Sequence, residues 1–411
     1  MNKITKNLKQ FASAARLAVP IMIVLPTSAF GQAAPRVTVD ISLNGTGDSN
    51  PFLDPGGVSS LSGTLQVDPK VYWEDETSSV ALNANLRTTQ YLRRYGNDIG
   101  GSVSVVAAKK LDLRTELSAS AAFSSSRSTL KDFFLGNLSA PLDPVEFPEA
   151  TFNDVTFAGR RNRVDTFNGL LGLSRVLSED DSISTSFLTS YSRFSGSDQF
   201  DYRTGRLGAK YQRRLSERTS ISAGAVATIA DYIGTKDGDA RVISPQIGIA
   251  NKINERVNWT ASLGASFASV DNPLGVSRTK TYFTGEVSIC DRGVESALCG
   301  SASRSAEPTS LGGIRAITNV AVVFDKKLSP NDRVMFSGRY GQTSQSTTGV
   351  IVPDQRNTQL YGVSGTYSKD IGERLAFFIT PSFTKVVERR FRDETNYALT
   401  VGLRLRIGKL R

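Results

Sequence analysis

Histidine is absent from this sequence of 411 residues, and cysteine occurs only twice. Without histidine, neither a Ser-His-Asp nor a Cys-His catalytic arrangement can form. Two cysteines alone supply too few ligands for a zinc site. No Gly-rich phosphate loop follows a strand and opens a helix, and acidic pairs such as Asp180-Asp181 sit in turns, where solvation explains them. The sequence therefore predicts no catalytic residue, no cofactor, no metal and no enzyme activity.

Long apolar runs are also missing. After the N-terminus, no stretch approaches the ~18 to 20 apolar residues that a membrane-spanning helix needs. Only 39% of the residues are hydrophobic, and 35 are glycine. Low average hydropathy combined with strong residue alternation excludes a helical membrane protein and is typical of a transmembrane β-barrel, whose inner face is polar.

The N-terminus has the pattern of an export signal. An apolar core from Leu17 to Leu25 follows a basic region, and Ala29-Phe30-Gly31 places small residues at a cleavage site. We expect residues 1–31 to be a signal peptide and residues 32–411 to form one outer-membrane barrel. Cleavage before Gln32 lowers the formal charge from +10 to +6. An exported barrel is not expected to bind nucleic acid. The basic residues of the signal are Lys3, Lys6, Lys9 and Arg16.

A short charged turn recurs between runs of alternating residues. Its clearest copy spans residues 213–222, with apolar residues on every second position at both sides. Leu177, Leu215 and Ile253 anchor three copies at a spacing of 38 residues. Two strands of ~10 residues with their connections fill this period, and ~10 residues is the length of a membrane-spanning strand. The pattern predicts an antiparallel meander of hairpins.

The turns give the strand count. They fall near residues 75, 112, 179, 217, 254, 293, 330 and 372. Nine hairpins joined by eight turns make an all-β antiparallel barrel of 18 strands with both termini periplasmic. If the turn near residue 293 belongs to an external loop instead, the count is 16. We favour 18 because that turn keeps the spacing regular.

Alternation also assigns the faces of the strands. The last strand carries Arg404 and Arg406 on one face and only apolar residues on the other, so the arginines are predicted to face the lumen. A lumen lined by cations attracts anionic solutes. The competing interpretation is that a polar lumen needs charges, which acids from loops neutralise. The predicted lumen-facing cations are Arg87, Arg206, Lys210, Arg339, Arg404 and Arg406.

Cys290 and Cys299 flank one of the predicted turns. An exported chain meets an oxidising compartment, so an even pair suggests a disulfide between neighbouring strands. The alternative is a pair within an external loop. A second irregular feature is the interval Ser124–Asn162, which has three prolines and no sustained alternation. We expect it to be either a loop folded into the lumen or a solvated surface loop.

Two segments resemble a known family. Val39-Asp40-Ile41-Ser42-Leu43, followed by Gly47-Asp48-Ser49-Asn50-Pro51-Phe52, is similar to the opening of the beta-barrel porin type 2 proteins of bacterial outer membranes. The hairpin from Val287 to Gly313, with its two cysteines, resembles a subset of them. Members are often encoded with exopolysaccharide synthesis and export systems. The resemblance implies a role beside such machinery.

Three functions follow as hypotheses. The first is a pore-like protein in the outer membrane of a Gram-negative bacterium that serves exopolysaccharide secretion, with an acidic polysaccharide and the export machinery as partners. The second is a passive porin for small, anionic solutes. The third is a structural or adhesive barrel with a plugged lumen. All three have outer-membrane lipid as a partner.

Overall fold

The protein is an all-β chain of 18 strands. The structure, a computed structural model, describes residues 35–54, 56–127, 163–195, 200–233, 239–271, 277–310, 312–344, 358–388 and 392–408. The predicted signal peptide lies outside these residues. Among the described residues, no helix is long and apolar enough to span a membrane.

The strands are long and evenly spaced along the chain. Most have 13 to 15 residues, which exceeds the ~10 residues needed to cross a membrane. In chain order they are β1 (Arg36–Asp48), β2 (Ser60–Glu74), β3 (Ser78–Tyr91), β4 (Asn97–Lys110), β5 (Thr115–Arg127), β6 (Arg163–Val176), β7 (Asp181–Phe194), β8 (Tyr202–Arg214), β9 (Thr219–Tyr232), β10 (Ala240–Lys252), β11 (Val257–Asp271), β12 (Ser277–Arg292), β13 (Ser296–Pro308), β14 (Ile314–Lys327), β15 (Asp332–Thr343), β16 (Thr358–Asp370), β17 (Leu375–Glu388) and β18 (Arg392–Gly408).

Each strand pairs antiparallel with the next, and the first strand pairs with the last. The closing ladder runs from Thr38–Gly408 to Asp48–Ala398 without a break. The sheet is therefore a closed barrel of 18 strands, and the prediction of 18 rather than 16 is confirmed. Both ends of the described chain lie at the same end of the barrel, because the strand number is even.

The eight connections at that end, here called the lower end, have three or four residues each and match the predicted turns. Six of them contain, as their first or second residue, one whose side-chain oxygen accepts hydrogen bonds from backbone N–H groups two or three residues later. Such local bonds stabilise tight turns and explain why short polar residues recur there. These six residues are Asp75, Asp112, Ser178, Ser216, Asn254 and Ser329.

Hydrogen bonds to a charged carboxylate, that of Asp75, stabilise the first of these turns. The hydroxyl of Ser78 and the backbone N–H groups of Thr77 and Ser78 donate to the Asp75 carboxylate. These hydrogen bonds lower the pKa of Asp75 to about 2. The carboxylate is therefore ionised at neutral pH, where it accepts from all three donors.

The barrel has its polar side inside and its apolar side outside. In β18, Tyr397 is 63% exposed and Leu399 48%, whereas Thr400 between the outward-facing residues is buried. The same alternation of exposed apolar and buried polar residues appears in β1, where Leu43 is exposed and Ser42 is buried. Surface of this kind is stable only where hydrocarbon replaces water.

Candidate functional site: the lumen and its inward hairpin

Hydroxyl groups line the inner wall and bond across neighbouring strands. Thr46 and Thr400 lie 3.0 Å apart across the closing ladder, and Thr64 and Thr89 lie 2.9 Å apart. Each pair satisfies two buried hydroxyls without a charge. Further pairs of this kind are Ser190–Thr204, Ser244–Ser266, Ser337–Ser364 and Thr366–Thr380.

The six predicted lumen cations lie on strand positions of the inward-facing register, and within the described part of the chain Arg87, Arg206 and Arg406 contact a carboxylate. The Arg406 guanidinium donates to both oxygens of Asp40, at 2.7 and 3.1 Å. Arg87 lies 3.7 Å from Asp98, and Arg206 lies 3.8 Å from Glu307. The acids belong to strands, not to loops. These ion pairs make the electrostatic potential of the lumen less positive than six unpaired cations would make it.

The other three cations differ in exposure. Lys210 is exposed, Arg339 is buried, and Arg404 is half-buried. Arg404 lies near enough to Arg406 and Arg333 to feel their charges, together with the charge of Asp40. The inner face of β18 thus carries two guanidinium groups, those of Arg404 and Arg406, two residues apart.

One hairpin leaves the barrel wall at the upper end, the end opposite the short turns. The β12–β13 ladder ends at the pair Gly285–Arg304, and the β14–β15 ladder begins at Ile317–Thr343. Between these points, β13 and β14 pair with each other up to Pro308–Ile314. We call Ser305–Ala316 the inward hairpin. Its turn contains Gly312 and Gly313, whose φ angles of 85° and 75° favour glycine.

The inward hairpin reaches β8 and β9, which lie on a distant part of the wall. The Tyr232 hydroxyl donates to the carbonyl of Gly313 at 3.0 Å and accepts from the N–H of Thr309 at 3.2 Å. The N–H of Phe200 donates to the carbonyl of Ser310 at 2.8 Å. Strands β10, β11 and β12 separate these partners along the wall, so the hairpin bends inward and passes over the inner face of these strands.

The hairpin rests on an apolar patch of the inner wall. Ile314 and Ala316 of the hairpin are almost fully buried, and so are Arg315 and Ile317, which alternate with them along the strand. Burial on both faces distinguishes this segment from the other strands, which expose their outward face. We call the wall residues beneath it the seat. The seat consists of Val164, Phe194, Tyr202, Ala230, Tyr232, Ala240, Val242, Ala268, Val270 and Tyr282.

A second upper connection is also folded tightly. Asn50 and Asp54 exchange hydrogen bonds, with the Asn50 amide donating to the Asp54 carbonyl at 2.9 Å and its oxygen accepting from the Asp54 N–H at 3.0 Å. Phe52 packs against the rings of Tyr91 and Tyr95. Leu53, buried and with a φ of 51°, holds a backbone conformation that packing must stabilise. The Asn-Pro-Phe segment noted in the sequence is therefore a structural anchor of the upper rim.

Cys290 and Cys299 lie directly opposite each other on β12 and β13, in the inward-facing register. Both are buried and stand as free thiols. The turn between them is short, as predicted. Because Gly293 bonds Ser296 across the turn, the alternation places the cysteines at a pair without backbone hydrogen bonds, where side chains approach closely. The disulfide itself stays a prediction.

Sequence alternation did not reveal the inward hairpin. The interval that the sequence left as either a loop folded into the lumen or a surface loop was Ser124–Asn162, of which Ser124–Arg127 belong to β5 and the rest lies outside the described residues. Two signals could have identified the hairpin. Ile314, Ala316 and Ile317 break the alternation, and large aromatic residues occupy the inward register of β8, β9 and β12 at their upper ends.

A closed antiparallel barrel of 18 strands, apolar outside and polar inside, is an outer-membrane barrel of the Gram-negative type. No family model matches the chain, and no curated protein matches it. The resemblance to the beta-barrel porin type 2 family stays a prediction.

Several solved structures have a similar shape. Pseudomonas aeruginosa OccK2 in complex with glucuronate is 10% identical, with a TM-score of 0.47 over 92% of this chain and 98% of that one. A BenF-like porin from Pseudomonas fluorescens Pf-5 is 12% identical, with a TM-score of 0.45 over 92% and 99%. The FrpB iron transporter from Neisseria meningitidis is 11% identical, with a TM-score of 0.45 over 85% and 62%. Likeness at this level transfers no function.

Proposed function

We propose that the protein is a passive diffusion pore for small polar solutes, with a modest preference for anions. The supporting observation is the polar inner wall of an 18-stranded barrel, because a barrel of 16 to 18 strands leaves an aqueous channel unless loops fill it. The inward hairpin narrows that channel on one side. Lys210, exposed on the wall, adds positive charge, whereas the ion pairs of Arg87, Arg206 and Arg406 reduce it.

A narrowed lumen favours small solutes over a polymer. Exopolysaccharide secretion, with an acidic polysaccharide or its export machinery as partner, rests on the family resemblance alone. A plugged structural barrel is the remaining alternative. Conductance separates it from a pore, because a plugged lumen passes no ion current.

The test is single-channel recording of the purified protein in planar lipid bilayers. We expect discrete conductance steps, and a reversal potential in a KCl gradient that shows preference for chloride. Replacing Lys210→Gln should reduce that preference. The matched control is Lys109→Gln, which removes the same charge from the outward register of β4. Absence of conductance steps would leave the plugged barrel as the better hypothesis.

A second experiment locates the constriction. Replacing Ala306–Arg315 with a short glycine linker should raise the conductance severalfold, because it removes the segment that narrows the lumen. The comparison variant deletes residues 135–157 of the long interval, which the sequence left as either a loop folded into the lumen or a surface loop. If only this deletion raises the conductance, the inward hairpin is not the constriction.

A further inference from the structure

Positive charge is concentrated on one sector of the upper outer rim. On β5, β6, β7, β8 and β10, the outward-facing residue nearest the upper end of the strand is an arginine. On β9, which lies among them, it is Asp231. On the other described strands, apart from β13 and β14 with their inward hairpin, this residue is Gly, Leu, Gln, Asn, Asp, Ser or Val and never a cation. We call the five arginines the arginine band: Arg127, Arg163, Arg193, Arg203 and Arg241.

Three members of the arginine band point freely away from the wall. Arg193 and Arg241 are exposed, and neither makes an ion pair with another described residue. Arg203 is 68% exposed at its side chain and pairs with Asp231. Asp165 is the other aspartate in the outward register of this sector. Five arginines against two aspartates give the sector a net positive charge.

The other two members lie directly opposite each other across the β5–β6 ladder. Arg163 is fixed there, because its guanidinium donates to the Ser125 hydroxyl and the Ile99 carbonyl and lies 3.6 Å from the Asp98 carboxylate. Arg127 makes no ion pair with a described residue. Like charges directly opposite on one face of a sheet repel each other. An anion between the two side chains would remove that repulsion.

The arginine band lies at the upper edge of the apolar outer surface. On β8, Arg203 and Arg213 bound a stretch of ten residues that includes Leu207, 59% exposed. Ten residues of a tilted strand span about 25 Å, which is the height of the apolar band of an outer-membrane barrel. Ile229 and Ile243, below the band on β9 and β10, are also exposed. Because short turns of such barrels are periplasmic, the guanidinium groups lie at the headgroup level of the outer leaflet.

A shallow apolar groove runs down the outer surface from the arginine band. β9, between β8 and β10, has exposed alanine at three successive outward positions, Ala223, Ala225 and Ala227. The larger Leu207 and Ile243 stand opposite Ala227 on either side. Toward the lower end, the groove widens into a depression of about 460 Å³. Its apolar lining includes Tyr211, Ile221, Ile247, Ile249 and Leu263.

We propose that the arginine band binds the phosphate groups of an anionic lipid in the outer leaflet, and that an acyl chain of this lipid lies in the groove. A guanidinium donates two parallel hydrogen bonds to a phosphate, which an uncharged sugar headgroup cannot match. Neighbouring strands are ~4.8 Å apart, so the band from β5 to β10 extends over about 24 Å, more than one phosphate can contact. The ligand therefore carries more than one phosphate group, and the groove distinguishes it from free phosphate.

The test measures how tightly the purified protein binds a lipid with two phosphates. The probe is diphosphoryl lipid A in mixed detergent micelles, and bound lipid is counted by native mass spectrometry. The variant is Arg193→Gln/Arg203→Gln/Arg241→Gln, in which every substituted side chain is exposed. The matched control replaces by Gln three cations in the outward register at the lower end of the barrel. These are Lys109, Arg175 and Lys326.

We expect the upper variant to lose affinity for diphosphoryl lipid A by on the order of tenfold to a hundredfold, and the lower variant to keep its affinity within about twofold. Equal losses in both variants, or no loss in the upper one, would overturn the proposal. Inorganic phosphate that displaces the lipid at equal concentration would show a simple anion site and would also overturn it.

A further variant tests the groove. Ala225→Phe fills it with a ring and should lower the affinity for diphosphoryl lipid A severalfold, without changing the binding of inorganic phosphate. An unchanged lipid affinity would exclude the groove as the place of the acyl chain. Lipid binding at the outer surface needs no ion current, so a barrel that does not conduct would leave this proposal standing.

Discussion

Two strand junctions of the barrel differ in a way that their sequence separation does not predict. β12 and β13 follow each other through a turn of three residues, yet their ladder stops halfway. β1 and β18 lie at opposite ends of the chain, yet their ladder is continuous and carries an ion pair whose carboxylate, that of Asp40, is buried. Two strands that are adjacent in sequence therefore do not always form a complete ladder. The length of a ladder depends on which backbone groups can pair across the two edges and on which side chains are buried beside them.

The largest expected effect comes from breaking the ion pair of the closing junction. Arg406→Gln should reduce the free energy of unfolding by about 2 to 4 kcal/mol, because it leaves the Asp40 carboxylate buried without its cation. Urea unfolding in detergent micelles measures it. The control is Arg214→Gln at the exposed pair Arg214–Asp180, with an expected loss below about 1 kcal/mol. Equal losses would show that burial of Asp40 does not matter.

The second prediction concerns the lower half of the β12–β13 junction. A disulfide between Cys290 and Cys299 should form in an oxidising compartment and add about 2 to 3 kcal/mol of stability in the chain-entropy model. Thiol titration of the folded, non-reduced protein checks whether it forms, and unfolding with and without reductant gives the difference. Two titratable thiols would contradict it.

A smaller effect is expected where the inward hairpin is held. Tyr232→Phe removes the hydroxyl shared by the Gly313 carbonyl and the Thr309 N–H, which still bond each other at 3.1 Å, so we expect a cost of about 1 kcal/mol. It should also raise single-channel conductance, because the hairpin is held less firmly in the lumen. Tyr397→Phe, exposed on the outer surface, should change neither quantity. An unchanged conductance in Tyr232→Phe would mean that other contacts fix the hairpin.

The smallest effect belongs to a lower turn. The pKa of Asp75, about 2, lies below the ~3.9 of an unfolded aspartate, so this residue stabilises the fold above about pH 4. That contribution is lost as the pH falls from about 4 to 2. Asp75→Asn should unfold slightly more easily than the natural protein at pH 7, and the difference should vanish near pH 2. A difference that persists at pH 2 would exclude the carboxylate as its cause.

Sequence reasoning succeeded where a single rule governs a whole element. Strand alternation and the recurring charged turn located the eight lower turns, and in six of them a Ser, Asp or Asn side chain accepts backbone hydrogen bonds within the same turn. The inward hairpin could not be predicted in this way. Its position depends on contacts with Phe200 and Tyr232, which are distant in sequence, and period-2 alternation carries no information about them.

The ion pairs could not be predicted from the sequence either. Alternation assigns Arg406 and Asp40 to the same face, but only the register of the closing ladder makes them neighbours. The same holds for Arg206 and Glu307, which meet because the inward hairpin folds over the inner wall toward β8. A residue pattern predicts faces, whereas partners require the three-dimensional arrangement.

The closing junction has a consequence for the kinetics of folding. Thr46 and Thr400, which bond across it, are 354 residues apart in the chain. Contacts of such separation form late, because the intervening strands must first be aligned to bring the two edges together. Until then, β1 and β18 expose sheet edges that can pair wrongly with other chains. Ring closure is therefore expected to limit the rate at which the barrel assembles.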